Sequence, residues 1–151
     1  MIRIIAIGKK HENWIKTGVE RYQKRLRKPY DVEWVLLPHS ARDEREARQV
    51  ESQAILSRLK PDDFVVLLDE TGQLYDSPAL SRQLQSVFER GASVTLVIGG
   101  AYGVSRDLHD RAQVVWSLSP LVFPHQLIRL ILAEQLYRAQ EIAAGHPYHH
   151  E

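Results

Sequence analysis

Two runs, Phe64-Val65-Val66-Leu67-Leu68 and Val94-Thr95-Leu96-Val97-Ile98, constrain this chain more than any other feature. They lack the apolar–polar alternation of a half-exposed strand. A run of this kind belongs to a parallel sheet covered by helices on both faces. Ile2–Ile7, ended by Gly8, and Val32–Leu37, ended by Pro38, read as two more strands, and Val114–Leu118 as a fifth. Between them lie helical patterns. Glu12–Arg27 shows Trp14, Ile15, Val19, Tyr22 and Leu26 on one face and stops at Pro29. Glu44–Leu59 carries a thin stripe of Ala47, Val50, Ala54 and Leu59. Ser77-Pro78 opens a helix that Gly91 closes, with Ser77 as the expected cap, and Ser105 caps a short one reaching Ala112. Gln126–Ala143 is the last. Strands alternating with helices predict an α/β fold, a parallel sheet with helices on both faces, in one domain over residues 1–151.

The last helix is apolar around most of its circumference, with only Arg129, Glu134 and Gln135 polar between Leu127 and Leu136. A surface helix keeps a polar face, so this one is expected to be buried on several sides. A second copy of the chain packed along Ile131 and Leu132 would cover it, which predicts a homodimer.

Composition excludes several classes. There is no cysteine, so disulfides, thiolate nucleophiles and Cys-ligated zinc fall away together. The N-terminus runs straight into Ile2–Ile7 without the pattern of a signal peptide, and no apolar stretch has the length of a membrane span. A cytoplasmic protein with no membrane partner is expected. Net charge is +1, too small for a uniformly basic nucleic-acid binder. Arg21, Lys24, Arg25, Arg27 and Lys28 nevertheless cluster, either as a solvated helix face or as a footprint for RNA phosphates.

Chemistry concentrates in the C-terminal third. Gly99-Gly100-Ala101-Tyr102-Gly103 follows a strand directly, and glycines there serve either a tight turn or a close backbone approach to a ligand. The spacing is not that of a dinucleotide-binding loop or a P-loop. Ser119-Pro120-Leu121-Val122-Phe123-Pro124 follows the next strand and is too apolar for an ordinary exposed loop. Its prolines withhold amide donors and stiffen it, which suits either packing or the grip of an adenine-like edge. Ligands of open parallel sheets sit beyond the carboxyl ends of strands, so the two turns are expected to share one pocket. Asp69, Glu70 and Asp76 read as turn residues. His146, His149 and His150 lie near the end without the ligand pattern of a metal site, and no metal is expected. Together with Tyr148 they supply groups that titrate near neutrality or stack on a base.

The run from Val94 to Gly100, then Trp116–Ser119, Phe123-Pro124-His125 and His146-Pro147-Tyr148-His149, resembles the ribosomal large-subunit RNA methyltransferase H family of the SPOUT superfamily. The resemblance extends to Gly8-Lys9-Lys10, Trp14, Leu68-Asp69 and Gly72, and so covers the whole chain. It implies a C-terminal trefoil knot, S-adenosylmethionine as cofactor, a homodimer, and methylation of N3 of a pseudouridine in large-subunit rRNA on the assembled ribosome. It also implies a cofactor site at Leu68, Gly99, Gly100 and Ser119, Pro120, Leu121, Val122, Phe123 and Pro124. Tyr148, His149 and His125 become the catalytic candidates, and Arg129 and His150 the substrate-binding ones. The family commonly ends His-Pro-Tyr-His-Arg-Glu, whereas His150 stands here in place of the arginine. A histidine is only partly charged at neutral pH and lacks the guanidinium fork, so weaker phosphate binding is expected. The alternative is a non-catalytic ribosome-binding or assembly factor of the same fold. A flavodoxin-like nucleotide binder is disfavoured, because no Ser/Thr-rich phosphate turn follows the first strand.

Overall fold

Alternate side chains of the central strands feed two separate cores, and this division organises the molecule. A computed structural model describes residues 1–150. Five strands, β1 (Ile2–Ile7), β2 (Val32–Leu37), β3 (Asp63–Leu74), β4 (Ser93–Ile98) and β5 (Val114–Ser117), form one sheet in the order β2-β1-β4-β3-β5, every pair parallel. The helices are α1 (Asn13–Gln23), α2 (Glu44–Leu56), α3 (Ser77–Glu89), α4 (Arg106–Arg111) and α5 (His125–Ala143). On one face Ile2, Ile4, Val66, Val94, Leu96 and Ile98 pack against Leu80 and Leu84 of α3 and Leu132 and Leu136 of α5. On the other, Ile5, Ile7, Val65, Leu67 and Val97 meet Ile55 of α2 and Leu108 of α4. α1 lies on α5 through Ile15, Val19 and Ala133. The α/β architecture expected from the alternation is the one observed.

Several boundaries differ, each for a local reason. α1 stops at Gln23 and not at Arg27, because the side-chain amide of Gln140 takes over the backbone there. It accepts from Arg27 N at 2.7 Å and donates to Arg25 O at 3.0 Å. Trp14 points outward, 59% exposed, its indole donating to Glu12 Oε2, while Ile15 and Val19 carry the buried face. In α2 the stripe is rotated from the expected one. Val50 is exposed, and Ala47, Glu51, Ser52 and Ile55 are buried. α3 is capped by Asp76, which accepts from Ala79 N at 2.8 Å, so Ser77 is the first helical residue and not the cap. Ser105 caps α4 as expected, accepting from Leu108 N at 3.3 Å.

α5 is wedged between α1 and α3, and no residue from His125 to Ile142 is classed as exposed. Its apolar circumference is thus covered largely from within the chain. Leu132 belongs to the main core and is fully buried, so it is not available for a seam between copies; Ile131 is only half-buried.

The largest departure is β3, which does not end at Leu68. Its ladder with β5 runs to Leu68 opposite Trp116, leaves for Asp69–Gly72, and resumes with Gln73 opposite Trp116 and Leu74 opposite Ser117. Asp69 stabilises the excursion by accepting from Thr71 N and Oγ1. Gly72 then crosses directly over the backbone of β5. A Cβ there would lie 2.6 Å from the Val115 carbonyl carbon and 2.8 Å from Trp116 N, and backbone cannot give way as a side-chain tip can. We expect Gly72→Ala to destabilise the fold by about 1–3 kcal/mol, the usual range for forced overpacking. Gly91→Ala, where a Cβ meets open space but φ is +73°, should show only the smaller cost of its backbone conformation. Urea unfolding of the two variants checks the contrast.

Candidate functional site

The two turns read from the sequence meet. The cleft between them, about 320 Å³, lies beyond the carboxyl ends of β3, β4 and β5. Its lining includes Leu68, Gly99, Gly100, Ser119, Leu121, Val122, Phe123 and His125, over an apolar floor of Ile98, Trp116 and Ile128. Of the expected cofactor residues, Pro120 and Pro124 are not in the lining. Pro124 instead starts α5, its carbonyl accepting from Ile128 N at 3.1 Å. The second turn is held by serines: Ser117 Oγ donates to Ser119 O at 2.8 Å, and Leu121 N donates to Ser119 Oγ at 3.0 Å. Leu121 and Val122 are consequently held out at the mouth, 69% and 75% exposed.

Gly99 and Gly100 of the first turn are required, but not for the reason expected from a ligand cradle. At Gly99 a Cβ would lie 2.7 Å from Val104 Cγ1, and at Gly100 it would overlap Glu51 Oε1. Neither has positive φ; in this turn only Gly103 does, at +77°. The protein's own packing excludes side chains here.

The cleft itself fits an adenosine-type ligand. It has an apolar floor and a stiff apolar lid, with Asp69, Glu70, Ser119 and His125 as polar groups in the lining. An apolar cleft with a small number of polar groups is the usual form of a small-molecule pocket. Trp116 contributes to that wall, and its buried indole N–H has no partner among the described residues. An orphaned buried donor costs free energy unless something accepts from it. S-adenosylmethionine, with acceptors on both ring and ribose, fits such a lining.

His125 opens α5 at the edge of this cleft. Burial, with Arg129 and His39 nearby, lowers its pKa against the opposing pull of Glu51, so the imidazole is kept neutral and able to accept a proton. Arg129 sits one turn further on and is completely buried. Its Nη2 donates to the carbonyls of Ile7 (3.0 Å) and Gly8 (3.1 Å), and Nη1 lies 3.2 Å from His11 Nδ1. Arginine only donates, so His11 presents an unprotonated Nδ1. Burial and the guanidinium charge lower the His11 pKa in agreement with this. Arg129 was expected beside the substrate base. Its guanidinium instead points into the fold and ties α5 to the end of β1, with no atom exposed for a phosphate. Gly8, at φ +120°, completes the arrangement, since a Cβ there would lie 2.8 Å from Arg129 Nη2.

The tail lies elsewhere. Tyr148 donates to Glu134 Oε1 at 3.2 Å, stacks edge-on against Tyr137 with centroids 4.7 Å apart, and receives the Arg138 guanidinium on its face. Burial and Glu134 push the Tyr148 hydroxyl up to about 12, so it remains protonated and suits placement and not proton abstraction. His149 Nδ1 is 3.0 Å from Arg138 Nη1. His149 and His150 border a second, larger hollow of about 810 Å³, with Tyr75, Arg82, Ile131 and Gln135. Tyr148 and His149 are thus docked on the chain's own α5. Among the described residues, only Leu118 and Phe123 line both hollows and so form a wall between them. His125 is therefore brought to the cofactor-type cleft, and Tyr148, His149 and His150 are not. Glu51 was missed altogether, since a glutamate in a polar helix ordinarily faces water.

The family model described as Predicted SPOUT methyltransferase matches residues 1–149. Similar curated proteins carry the name Ribosomal RNA large subunit methyltransferase H. They include those of Alkalilimnicola ehrlichii (41% identical, 98% of this chain and 97% of the relative), Hahella chejuensis (39%, 99% and 99%) and Acetivibrio thermocellus (40%, 98% and 98%). The chain belongs to the SPOUT methyltransferases, in the ribosomal RNA large subunit methyltransferase H family. Among the described residues no helix is long and apolar enough to cross a membrane, and no group of three or more potential metal ligands occurs.

Two measurements probe this site. Replacing Arg129 by Met leaves the Ile7 and Gly8 carbonyls without their charged donor and should cost at least about 2 kcal/mol in urea unfolding; a surface arginine serving only RNA would cost almost nothing. The lowered pKa values of His11 and His125 mean that the unfolded chain binds more protons than the folded one below about pH 6.5. Their contribution to stability is thus complete above pH 6.5 and is lost as pH falls toward the folded values. Melting temperature should drop over that acid window, and less steeply in His125→Gln.

Proposed function

We propose that this chain transfers a methyl group from S-adenosylmethionine to N3 of a pseudouridine in large-subunit ribosomal RNA, acting on the assembled ribosome in the cytoplasm. The observation that carries the reading is the meeting of the two turns in one cleft, with a neutral imidazole at its edge. The name shared by the relatives supplies the acceptor class, ribosomal RNA of the large subunit.

When bound, the cofactor supplies an electrophilic methyl on a sulfonium. Leu68, Gly99, Gly100 and the loop from Ser119 to Phe123 would hold it, Trp116 N–H would donate to it, and the apolar floor would exclude water. N3 of the acceptor carries a proton that must leave. His125, at the edge of this chain's cleft, is one candidate to accept it and His149 the other, while Tyr148 places the base. Holding acceptor and donor in line at roughly 3 Å accounts for much of the acceleration. For RNA phosphates, Arg21, Lys24, Arg25, Arg27 and Lys28 are all exposed. Arg25 reaches the Tyr137 ring at 5.9 Å, so this basic stretch runs up to the Tyr148 cluster.

Within one chain the tail lies behind the Leu118–Phe123 wall from the cofactor cleft, which favours a homodimer in which the partner's tail serves this cleft. The half-buried Ile131 and its hollow offer the remaining seam. The trefoil knot implied by the family resemblance belongs to the same proposal.

Labelled cofactor incubated with ribosomes, followed by mapping of the modified base, tests the reaction; no label in rRNA would leave the non-catalytic ribosome-binding factor. Removing Tyr148–Glu151 should leave S-adenosylmethionine affinity within about threefold, ~0.7 kcal/mol. Methyl transfer should fall about a hundredfold. Mixing that truncated chain with His125→Ala, each inactive alone, should restore activity if tails act between subunits. Failure of the mixture to recover any would assign the tail to its own chain.

A further inference from the structure

We propose that Glu51 is the counter-charge that makes the cofactor cleft prefer a cationic ligand over its neutral counterpart, acting from behind the Gly99–Gly100 turn. The proposal rests on the reading of the cleft as a site for S-adenosylmethionine.

Glu51 is 4% exposed, on the inward face of α2. Its Oε2 accepts from Ser40 N at 2.9 Å, but its Oε1 is buried and unpartnered among the described residues. That free oxygen lies against Gly100, in the space a Cβ would need, while Gly100 itself lines the cleft. One glycine therefore separates a bare carboxylate oxygen from the ligand. An orphaned buried carboxylate is expensive, and structures keep one where a cation will meet its field.

A count of charges around this end of the sheet gives the field its purpose. Arg129 is fully buried, and its partners are two carbonyls and an imidazole, not a carboxylate. The His11 and His125 imidazoles are held toward the neutral form, and His39 stands beside Arg129, its Nε2 3.6 Å from the same point above Gly8 that Arg129 Nη2 crowds. With Glu51 the fixed charges behind the cleft balance. Without it the buried guanidinium is left uncompensated there. Asp69 and Glu70 also line the cleft, but Glu70 is exposed and Asp69 is engaged by Thr71, so solvent and that contact weaken their hold on a sulfonium. S-adenosylmethionine carries one more positive charge than S-adenosylhomocysteine, the product that must leave after transfer. A carboxylate close behind the turn thus favours the donor and disfavours the spent product. Opposite charges at such range in a half-buried site account for about a tenfold discrimination.

The experiment is calorimetric titration of the wild type and Glu51→Gln with S-adenosylmethionine, sinefungin (which carries an amine near the sulfonium position) and S-adenosylhomocysteine. Glutamine keeps the shape and can still accept from Ser40 N. The two cationic ligands should weaken about tenfold in the variant and S-adenosylhomocysteine less than twofold. Glu51→Asp, which keeps the charge, should recover most of the preference. Equal weakening of all three ligands, or no change in any, would falsify the charge role while leaving the cleft assignment standing. Failure of the wild type to bind any of them overturns the cleft reading and this inference with it. If Glu51→Gln does not fold, the double variant Asp69→Asn/Glu70→Gln decides. A preference for S-adenosylmethionine over S-adenosylhomocysteine that survives there supports Glu51, and its loss there, or equal or reversed affinities in the wild type, overturns the proposal.

Discussion

The Arg129 guanidinium is the fixed point of this molecule. A buried cation is tolerated when it is hydrogen-bonded, and here the two Nη atoms meet the last carbonyl of β1, the glycine that follows it and His11, while Nε has no partner among the described residues. That places a register constraint on α5. The helix cannot slide or rotate without stranding a charge in the interior. Four residues earlier stands His125, so the guanidinium that anchors the helix also sets where the imidazole enters the cleft. Gln126, next in line, accepts from Glu12 N and donates to Lys10 O, and this fastens the loop before α1 to the same helix start. Gly8 makes the arrangement possible by adopting a positive φ and leaving room for Nη2.

The glycines of the site follow one logic. Gly72, Gly99 and Gly100 each sit where the chain presses against another part of itself: the backbone of β5, the side chain of Val104 and the carboxylate of Glu51. The cleft is what remains after these close approaches draw the ends of β3 and β4 toward the Ser119–Phe123 loop. Its shape is a by-product of internal packing. The ligand uses backbone surfaces already bared for structural reasons.

The layered architecture was legible because β-branched and aliphatic runs are confined to strands, and Phe64–Leu68 and Val94–Ile98 announce burial on both faces. The convergence of the two turns was legible as well, since strand ends in a parallel sheet point the same way. What stayed hidden depends on partners distant in sequence. Nothing near Arg129 signals that Ile7 and Gly8, more than a hundred residues away, will claim its donors. Val50 and Glu51 are adjacent, and hydrophobicity alone puts the wrong one inside: Glu51 is buried and accepts from Ser40 N, a partner that hydrophobicity does not register, while Val50 is exposed. The continuation of β3 past Asp69 escaped notice because a turn-like Asp-Glu-Thr-Gly can also be an excursion within a ladder that resumes. The docking of Tyr148 and His149 was hidden for the same reason, because their partners Glu134 and Arg138 stand 14 and 11 residues earlier on α5.

Leu118 and Phe123 form part of both hollows, and this has a thermodynamic consequence. A side chain that serves as a wall for two compartments cannot settle for one without being set for the other. Whatever packing an occupant of the smaller cleft imposes on Phe123 is the packing that a guest beside His149 must accept. Linkage makes the relation reciprocal: any factor by which filling one hollow alters affinity in the other acts equally in reverse. Order of binding, and the ease with which a spent ligand departs, thus become properties of two apolar side chains with no chemistry of their own.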